Sequence, residues 1–324
     1  MTDQEPSLRK DKRKKKGKKR ALRTIALILG SLILISAGIL GYMTYQISQV
    51  ANATQTELDR GESSSMRDTL VDPVNDPISI LFLGLDTRDG DLRGRTDAMI
   101  LTTFNPNERS VRMLSLPRDS YVPIVGRGTN DKINHAHAFG GIDMTVDTVE
   151  SYLNVPVDYV VSLNFDAFMD IIDSIGGVEV DVPMPIYDRD NATYGEISID
   201  EGLQTLNGEE ALAYVRMRKQ DPRGDIGRGE RQRDVIEAVI RQSVNFRTIT
   251  NFNTMLDSLE NNLSMNLTFS QLVSMHGYAT QLHDIESLEL EGHNTLMNGI
   301  SYYQIQEDSK QEVSRSLRDH LELP

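Results

Sequence analysis

The sequence predicts an α/β domain built of layered strands and helices. Three observations carry this. Short apolar runs of buried-strand type, such as ISILFLGLD at 78–86, end in Gly or Asp and lead into turn-rich loops. Between them lie stretches with helical spacing and cap residues. The chain has 324 residues, enough for one large domain or two small ones. It has no cysteine, which excludes disulfides, thiolate metal sites and a cysteine nucleophile.

Ahead of that domain, charge and hydropathy divide the chain. The formal charge is −14, unevenly spread: residues 1–23 hold eleven Lys/Arg and three acids, a net +8, which leaves −22 for the rest. Such a basic, low-complexity tail is expected to be disordered. Residues 24–45, TIALILGSLILISAGILGYMTY, carry no charge. They are long enough to cross a bilayer as one helix, with Tyr42 and Tyr45 at the far end as interfacial aromatics. The positive-inside rule then places the tail in the cytoplasm and everything beyond outside the cell membrane, a single-pass type II arrangement. A cleavable signal peptide is the alternative, since Ala51-Asn52-Ala53 resembles a cleavage site. The long apolar run and long basic tail favour an uncleaved anchor. Residues 46–77 are polar, without apolar periodicity, and read as a linker.

The domain itself begins near Ile78. ISILFLGLD is the first strand and TDAMILTTFNP the second, closed by Asn105-Pro106. SVRMLSL (110–116) is the third and ends in Pro117-Arg118-Asp119. DKINHAHAFGG is a loop or short helix. Residues 142–153 form a helix with Ile142, Val146, Val149 and Leu153 on one stripe. VDYVVSL is a strand. NFDAFMDIIDSIGG is a helix capped by Asn164 and stopped by Gly176-Gly177, and VEVDV is a strand. Residues 183–206 read as irregular. NGEEALAYVRMR is a helix capped by Asn207, and 229–245 a long helix. Residues 251–324 read as mostly helical, with strands at 285–290 and 300–305.

The chemistry-bearing residues sit at the ends of these elements. Asp86 lies just past one strand, Arg95 and Asp97 lead into the next, Arg118 follows a third, and Lys132 lies in the loop after it. Loops at strand ends converge on ligands in open α/β sheets. If these share one side, Asp86 and Asp97 make a carboxylate pair for a hard divalent cation beside a phosphate. Taken singly, each is also an ordinary turn or cap residue.

One stretch stands out, YVRMRKQDPRGDIGRGERQRD at 214–234. It places Arg216, Arg218, Arg223, Arg228, Arg231 and Arg233 in an acidic chain. Clustered guanidiniums suit phosphate oxygens, and a salt-bridged surface helix is the competing reading. Arg228 and Gln232, at i and i+4, share a helix face. Arg216 and Arg218 would diverge by about 200° on a helix, so they face one ligand only if that helix ends near them. Asp221-Pro222 and Gly224 favour such an end. A helix starting near Arg228 would then offer free N–H groups to an anion. His135 and His137 lack a third ligand at metal spacing, and no G-x-S-x-G nucleophile pattern occurs.

Together, LFLGLDTRDG, RTDAMILTTFNP, SLPRDSYV, DKINHAHAFGG, SLNFDAFMDIIDSIGGVEVDV, LNGEEALAYVRMRKQD and DIGRGERQRDVI resemble successive blocks of the LytR-CpsA-Psr family, in order over 78–245. The resemblance implies an α/β/α sandwich, with a mostly parallel or mixed central sheet and an apolar pocket for a lipid tail. It implies a transferase that moves an anionic glycopolymer, of wall teichoic acid or capsule type, from a polyprenyl-pyrophosphate carrier to peptidoglycan. The product is a phosphodiester, and Gram-positive-type cells are the setting. By motif position, Asp86 and Asp97 would hold Mg²⁺ or Mn²⁺. Arg95, Arg118, Arg216, Arg218, Arg228 and Gln232 would bind the pyrophosphate, with Arg88 and Lys132 as further candidates. Asp225, with Arg118 and Arg228, is a candidate for a catalytic role. Residues 246–324 are the end of this domain or an accessory region. A transcriptional regulator and a non-catalytic lipid- or wall-binding protein of the same fold are the alternatives. Against the regulator, the tail lacks a recognition-helix pattern, and the acidic remainder repels nucleic acid.

Overall fold

Alternation along the first strand sets the layers. In β1 (Ile78–Leu85), Leu81 and Leu83 point to one face of a sheet, and Ile78, Ile80 and Phe82 to the other. Both faces are covered, so the strand is apolar throughout. The computed structural model describes residues 45, 54–61, 63–88, 90–189, 195–218, 220–243, 259–268, 271, 275 and 284–324, apart from the side chains of Asp225, Ser243 and Asp284.

β2 (Thr96–Asn105) and β3 (Ser110–Ser115) follow as antiparallel neighbours. A small hairpin, β4 (Tyr121–Ile124) and β5 (Thr129–Lys132), leads to α1 (His135–Leu153). β6 (Tyr159–Leu163) pairs parallel with β1. Next come α2 (Phe165–Ser174), β7 (Val178–Val182), β8 (Ile186–Arg189), β9 (Glu196–Ile199), β10 (Gly202–Leu206), α3 (Gly208–Arg216) and α4 (Asp225–Ser243). The chain closes with β11 (Leu263–Met265), β12 (Asp284–Leu288), β13 (Gly292–Met297), β14 (Ile300–Ile305) and α5 (Glu307–His320).

The main sheet has six strands in the order β11-β6-β1-β2-β3-β12 and is mixed: β1/β6 and β3/β12 are parallel, the other pairs antiparallel. α1 and α5 cover one face through Val146, Val149, Leu153, Val313 and Leu317. On the other face Ile236 and Ile240 of α4 pack against Ile100, Phe104 and Met113. The result is three layers, α/β/α. Beside them α2, α3 and β7–β10 share a separate core with Val235 and Ala238 of α4.

Local signals explain several boundaries. Asn164 accepts from the Ala167 N–H and caps α2, and Gly176 and Gly177 follow it at φ 85° and 95°. Asn207 and Glu210 form a reciprocal capping box on α3. α1 is kinked at Gly140 and Gly141, so the HAHAFGG loop is its first turns and the Ile142–Leu153 stripe its packed part.

Other stretches differ from the sequence reading. Residues 183–206 hold the β8–β9 hairpin and β10, which pairs with β7, all mostly polar strands too short to signal. The C-terminal stretch is richer in strand than its composition suggests. The strands at 285–290 and 300–305 are present as β12 and β14, while β11 is only three residues long and β13 carries no apolar alternation. β11 and β12 are the two edges of the main sheet. Residues 54–77, polar enough to read as linker, are held to the domain. Leu58 lies in the core, Arg60 pairs with Glu150 at 2.7 Å, and Arg67 pairs with Asp158 at 2.7 Å. The basic tail at 1–23 and the apolar run at 24–45 lie outside the described residues, Tyr45 excepted. Among the described residues no helix is long and apolar enough to cross a membrane.

Candidate active site

A cavity of about 590 Å³ opens between the sheet and the α2–α3–α4 group. Its floor is apolar: Phe82, Leu85, Ile100, Leu163, Phe168, Leu212, Val215 and Ile236 line it. Gly84 and Ala98 lie side by side there, and a Cβ on Gly84 would stand 3.1 Å from that of Ala98. The small pair leaves room where larger side chains would fill the space.

The rim is polar. Asp97, Arg118, Arg216, Arg218, Arg228 and Gln232 all line this one cavity, brought there from four places in the chain. Asp97 reaches it through a β-bulge. The register passes from Gly84↔Ala98 to Leu85↔Thr96, leaving Asp97 without a partner. By strict alternation Asp97 would share the face of Met99 and Leu101; the extra residue turns it to the cavity side. Arg118 stands in the turn after β3, closed by Ser120, whose N–H donates to the Pro117 carbonyl at 2.9 Å. Its Nη1 is bonded to the Asp97 carboxylate.

Arg216 and Arg218 share the cavity because α3 ends between them. Met217 is extended (φ −56°, ψ 131°), and Arg216 stacks over Phe165 with its guanidinium carbon 4.8 Å from the ring centre. On α4, Arg228 and Gln232 face the cavity. The helix starts at Asp225, earlier than the pattern suggests, and the Arg228 N–H donates to the Gly224 carbonyl at 3.2 Å. That amide is therefore used by the helix itself and is not offered to an anion. Asp225 is the first residue of α4, and its side chain lies outside the described set.

Four expected residues stand off the cavity wall. Asp86 and Arg95 are exposed at the end of the β1–β2 pair. Arg88 pairs with Asp166 at 3.4 Å and lies 5.9 Å from the Phe165 ring centre. Lys132 is bonded to Asp119 at 2.7 Å. Conversely, Asn164, Phe165, Phe168, Tyr187, Asp188 and Gln220 line the cavity without having been singled out. Phe165 and Phe168 carried a legible signal, an aromatic pair at i and i+3. Tyr187 and Gln220 carried none: they meet through two hydrogen bonds, Tyr187 N–H to Gln220 Oε1 at 3.2 Å and Gln220 Nε2–H to the Tyr187 carbonyl at 2.7 Å.

Buried polar contacts hold the rim. Arg231, on the flank of α4, donates to the Tyr214 carbonyl at 3.1 Å, to the Met217 carbonyl and to Asp221 at 2.5 Å. The Tyr214 hydroxyl donates to Asp234 at 3.0 Å, and burial raises the pKa of both groups. His137 lies in the first turns of α1. Its Nδ1–H donates to the Gly94 carbonyl at 2.9 Å, bracing the loop before Asp97, and burial lowers its pKa despite that bond.

For a metal the fit is limited to one form. Among the described residues no cluster of three His, Cys, Asp or Glu exists. Asp97 at the bulge and Asp86 at the strand end are hard oxygen donors, which suit Mg²⁺ shared with a ligand's phosphates rather than caged by protein. Arg118 already holds Asp97, so an ion there would share that carboxylate with it.

An apolar cavity rimmed by arginines defines a protein that binds an amphiphile with an anionic head. The chain belongs to the LytR-CpsA-Psr family: residues 41–319 match the LytR_cpsA_psr family. It is 42% identical over 318 residues to the polyisoprenyl-teichoic acid–peptidoglycan teichoic acid transferase TagU of Bacillus subtilis (strain 168), covering 97% of this chain and 100% of that one. Among solved structures it is similar to the family protein YwtF (TagT) with bound octaprenyl pyrophosphate lipid, at TM-score 0.67 and 37% identity, covering 83% of this chain and 100% of that one. It is also similar to B. subtilis TagU, at TM-score 0.60 and 43% identity, covering 77% and 99%.

Proposed function

We propose that this chain moves an anionic glycopolymer, of wall teichoic acid or capsule type, from a polyprenyl-pyrophosphate carrier to a hydroxyl of peptidoglycan. The observation that carries the reading is the junction of apolar floor and arginine rim in one cavity. The names of TagU and of the lipid-bound TagT support it. Each buried CH₂ contributes about 0.8 kcal/mol, so a few isoprene units suffice to seat the carrier. Arg118, Arg216, Arg218, Arg228 and Gln232 bind the pyrophosphate at the rim.

Phosphoryl transfer is mainly positioning and charge neutralisation, which arginines supply without a covalent nucleophile. The acceptor oxygen forms a bond to the polymer-side phosphorus and the P–O bond to the carrier phosphate breaks. In net terms the hydroxyl proton leaves with polyprenyl phosphate. Mg²⁺ or Mn²⁺, held by Asp86 and Asp97, would neutralise phosphate charge. The uncharged run at 24–45 anchors the chain in the cell membrane, with the domain outside, where carrier and wall meet.

The test is mass spectrometry of the full-length chain extracted in detergent, paired with an in vitro transfer assay. Co-purified polyprenyl phosphate or pyrophosphate and chelator-sensitive transfer are expected. A lipid-free protein that transfers nothing overturns the reading, and transfer unchanged in excess chelator removes the metal role.

A further inference from the structure

Behind α4 lies a second, smaller hollow, of about 260 Å³. Ile226, Gly229 and Arg233 of α4 face it, whereas Arg228 and Gln232 face the large cavity. The two spaces also share the turn after β3, with Pro117 on the hollow and Arg118 on the cavity. A ligand in the hollow would therefore sit next to the pair of arginines that reach the carrier's diphosphate.

The hollow has an unusual polar lining. The Arg233 side chain is 7% exposed, and among the described residues its ion pair is with Glu289, through Nη2 at 3.3 Å. Its Nε is buried with no acceptor among the described residues. A buried donor left unmade costs about 1–3 kcal/mol. Around it stand Glu289, Glu291, Ser115, Gln306 and Tyr303. Glu289 is 56% exposed, so its second oxygen is open to a ligand. Space is kept by glycine: a Cβ on Gly229 would stand 2.8 Å from Ser115 Oγ, and one on Gly292 2.7 Å from the Tyr303 ring.

We propose that this hollow binds one sugar ring of the acceptor glycan, a reading that rests on the transfer function above. An acylated sugar carries the complementary groups. Its ring hydroxyls donate to Glu289 and Glu291, and an acyl or carboxyl oxygen accepts from the Arg233 guanidinium. The net negative lining disfavours a free phosphate, which separates this hollow from the arginine rim across α4. Its volume is below the usual range of about 300–1,000 Å³ for whole small-molecule ligands, which fits one ring of a longer strand.

The experiment is calorimetric binding of a soluble GlcNAc–MurNAc tetrasaccharide with stem peptides to the full-length chain in nanodiscs. Arg233→Lys and the half-exposed Glu289→Gln are measured beside it. Wild type binds, and each variant weakens binding about tenfold or more while polyprenyl-pyrophosphate affinity stays within about twofold. Should Arg233→Lys prove unfolded by circular dichroism, Glu289→Gln alone decides. No tetrasaccharide binding by wild type, or equal binding by Glu289→Gln, overturns the hollow as the acceptor site. The lipid and transfer assays judge the function independently: wild type that transfers polymer while the variants bind saccharide normally sinks this proposal and leaves the function standing.

Discussion

Arg231 and Arg228 stand three residues apart on α4 and are both buried, at 1% and 7% exposure. Arg231 is spent on the protein. Asp221 and two backbone carbonyls take its donors, and the tie fixes the end of α3 against α4. Gly227 makes the tie possible, since a Cβ there would collide with Asp221 Oδ2 at 1.8 Å. Arg228 faces the cavity instead, with Arg118, Arg216 and Arg218. Arg223, outside both groups, pairs with Glu230 and Asp221. A run of arginines thus splits into a buried post and a cavity rim.

The largest expected effect is on the post. Arg231→Ala leaves the buried Asp221 with only the half-exposed Arg223 as a charged partner, and breaking such a buried pair costs about 3–5 kcal/mol. Urea unfolding of the full chain should show that loss. A drop below about 1 kcal/mol would mean the post carries no load. Next in size is the rim. Arg118→Ala should lower kcat/KM for transfer by about 10²–10³, the cost of removing one preorganised donor. Its urea midpoint should stay near wild type, because Asp97 is 32% exposed and water replaces the guanidinium. If Arg118→Ala unfolded the chain as readily as Arg231→Ala, the division between post and rim would fail.

Much of this was legible before the structure. The family resemblance grouped Asp97, Arg118, Arg216, Arg218, Arg228 and Gln232, which line one cavity, together with Asp86, Arg88, Arg95 and Lys132, which do not; the residues alone left open whether the strand-end loops share one side. Spacing on α4 separated Arg228 and Gln232 from other faces but did not reveal that Arg231 meets Asp221, a contact made across a loop. The bulge that turns Asp97 was hidden, since one unpaired residue leaves no trace in hydropathy. β8–β10 escaped because each is short and buries only one residue fully, too few for an apolar period. Tyr187 reached the cavity unseen for the same reason.

A smaller effect tests the post by pH. Burial pushes the Asp221 pKa up, but the Arg231 hydrogen bond, the Arg223 N–H and the charges of both arginines outweigh it, and the pKa ends below the usual value. A lowered carboxylate pKa stabilises the fold above the unfolded value and loses that contribution as pH falls through the folded one. The unfolding free energies of wild type and Asp221→Asn should therefore differ most at neutral pH and converge below about pH 4. A gap that stays constant from pH 7 to pH 3 would show that the carboxylate's charge is not what stabilises the post.

The smallest effect asks how the rim arginines act. Arg218 is exposed, so neither Arg218→Ala nor Arg218→Lys should shift stability by more than about 0.5 kcal/mol. Lysine keeps the charge but loses the planar fork that matches two phosphate oxygens. If the rim grips the diphosphate by paired hydrogen bonds, Arg218→Lys weakens carrier-lipid binding about fivefold to tenfold, the worth of roughly one hydrogen bond. If the rim works only through its field, lysine serves as well and only alanine shows a loss, one that fades as salt is raised. Titrating both variants with polyprenyl pyrophosphate at low and high salt separates the two modes. Arg231, closed inside the protein, offers no such choice: Arg231→Lys cannot reach two carbonyls and a carboxylate at once, and it should fail by unfolding rather than by losing ligand.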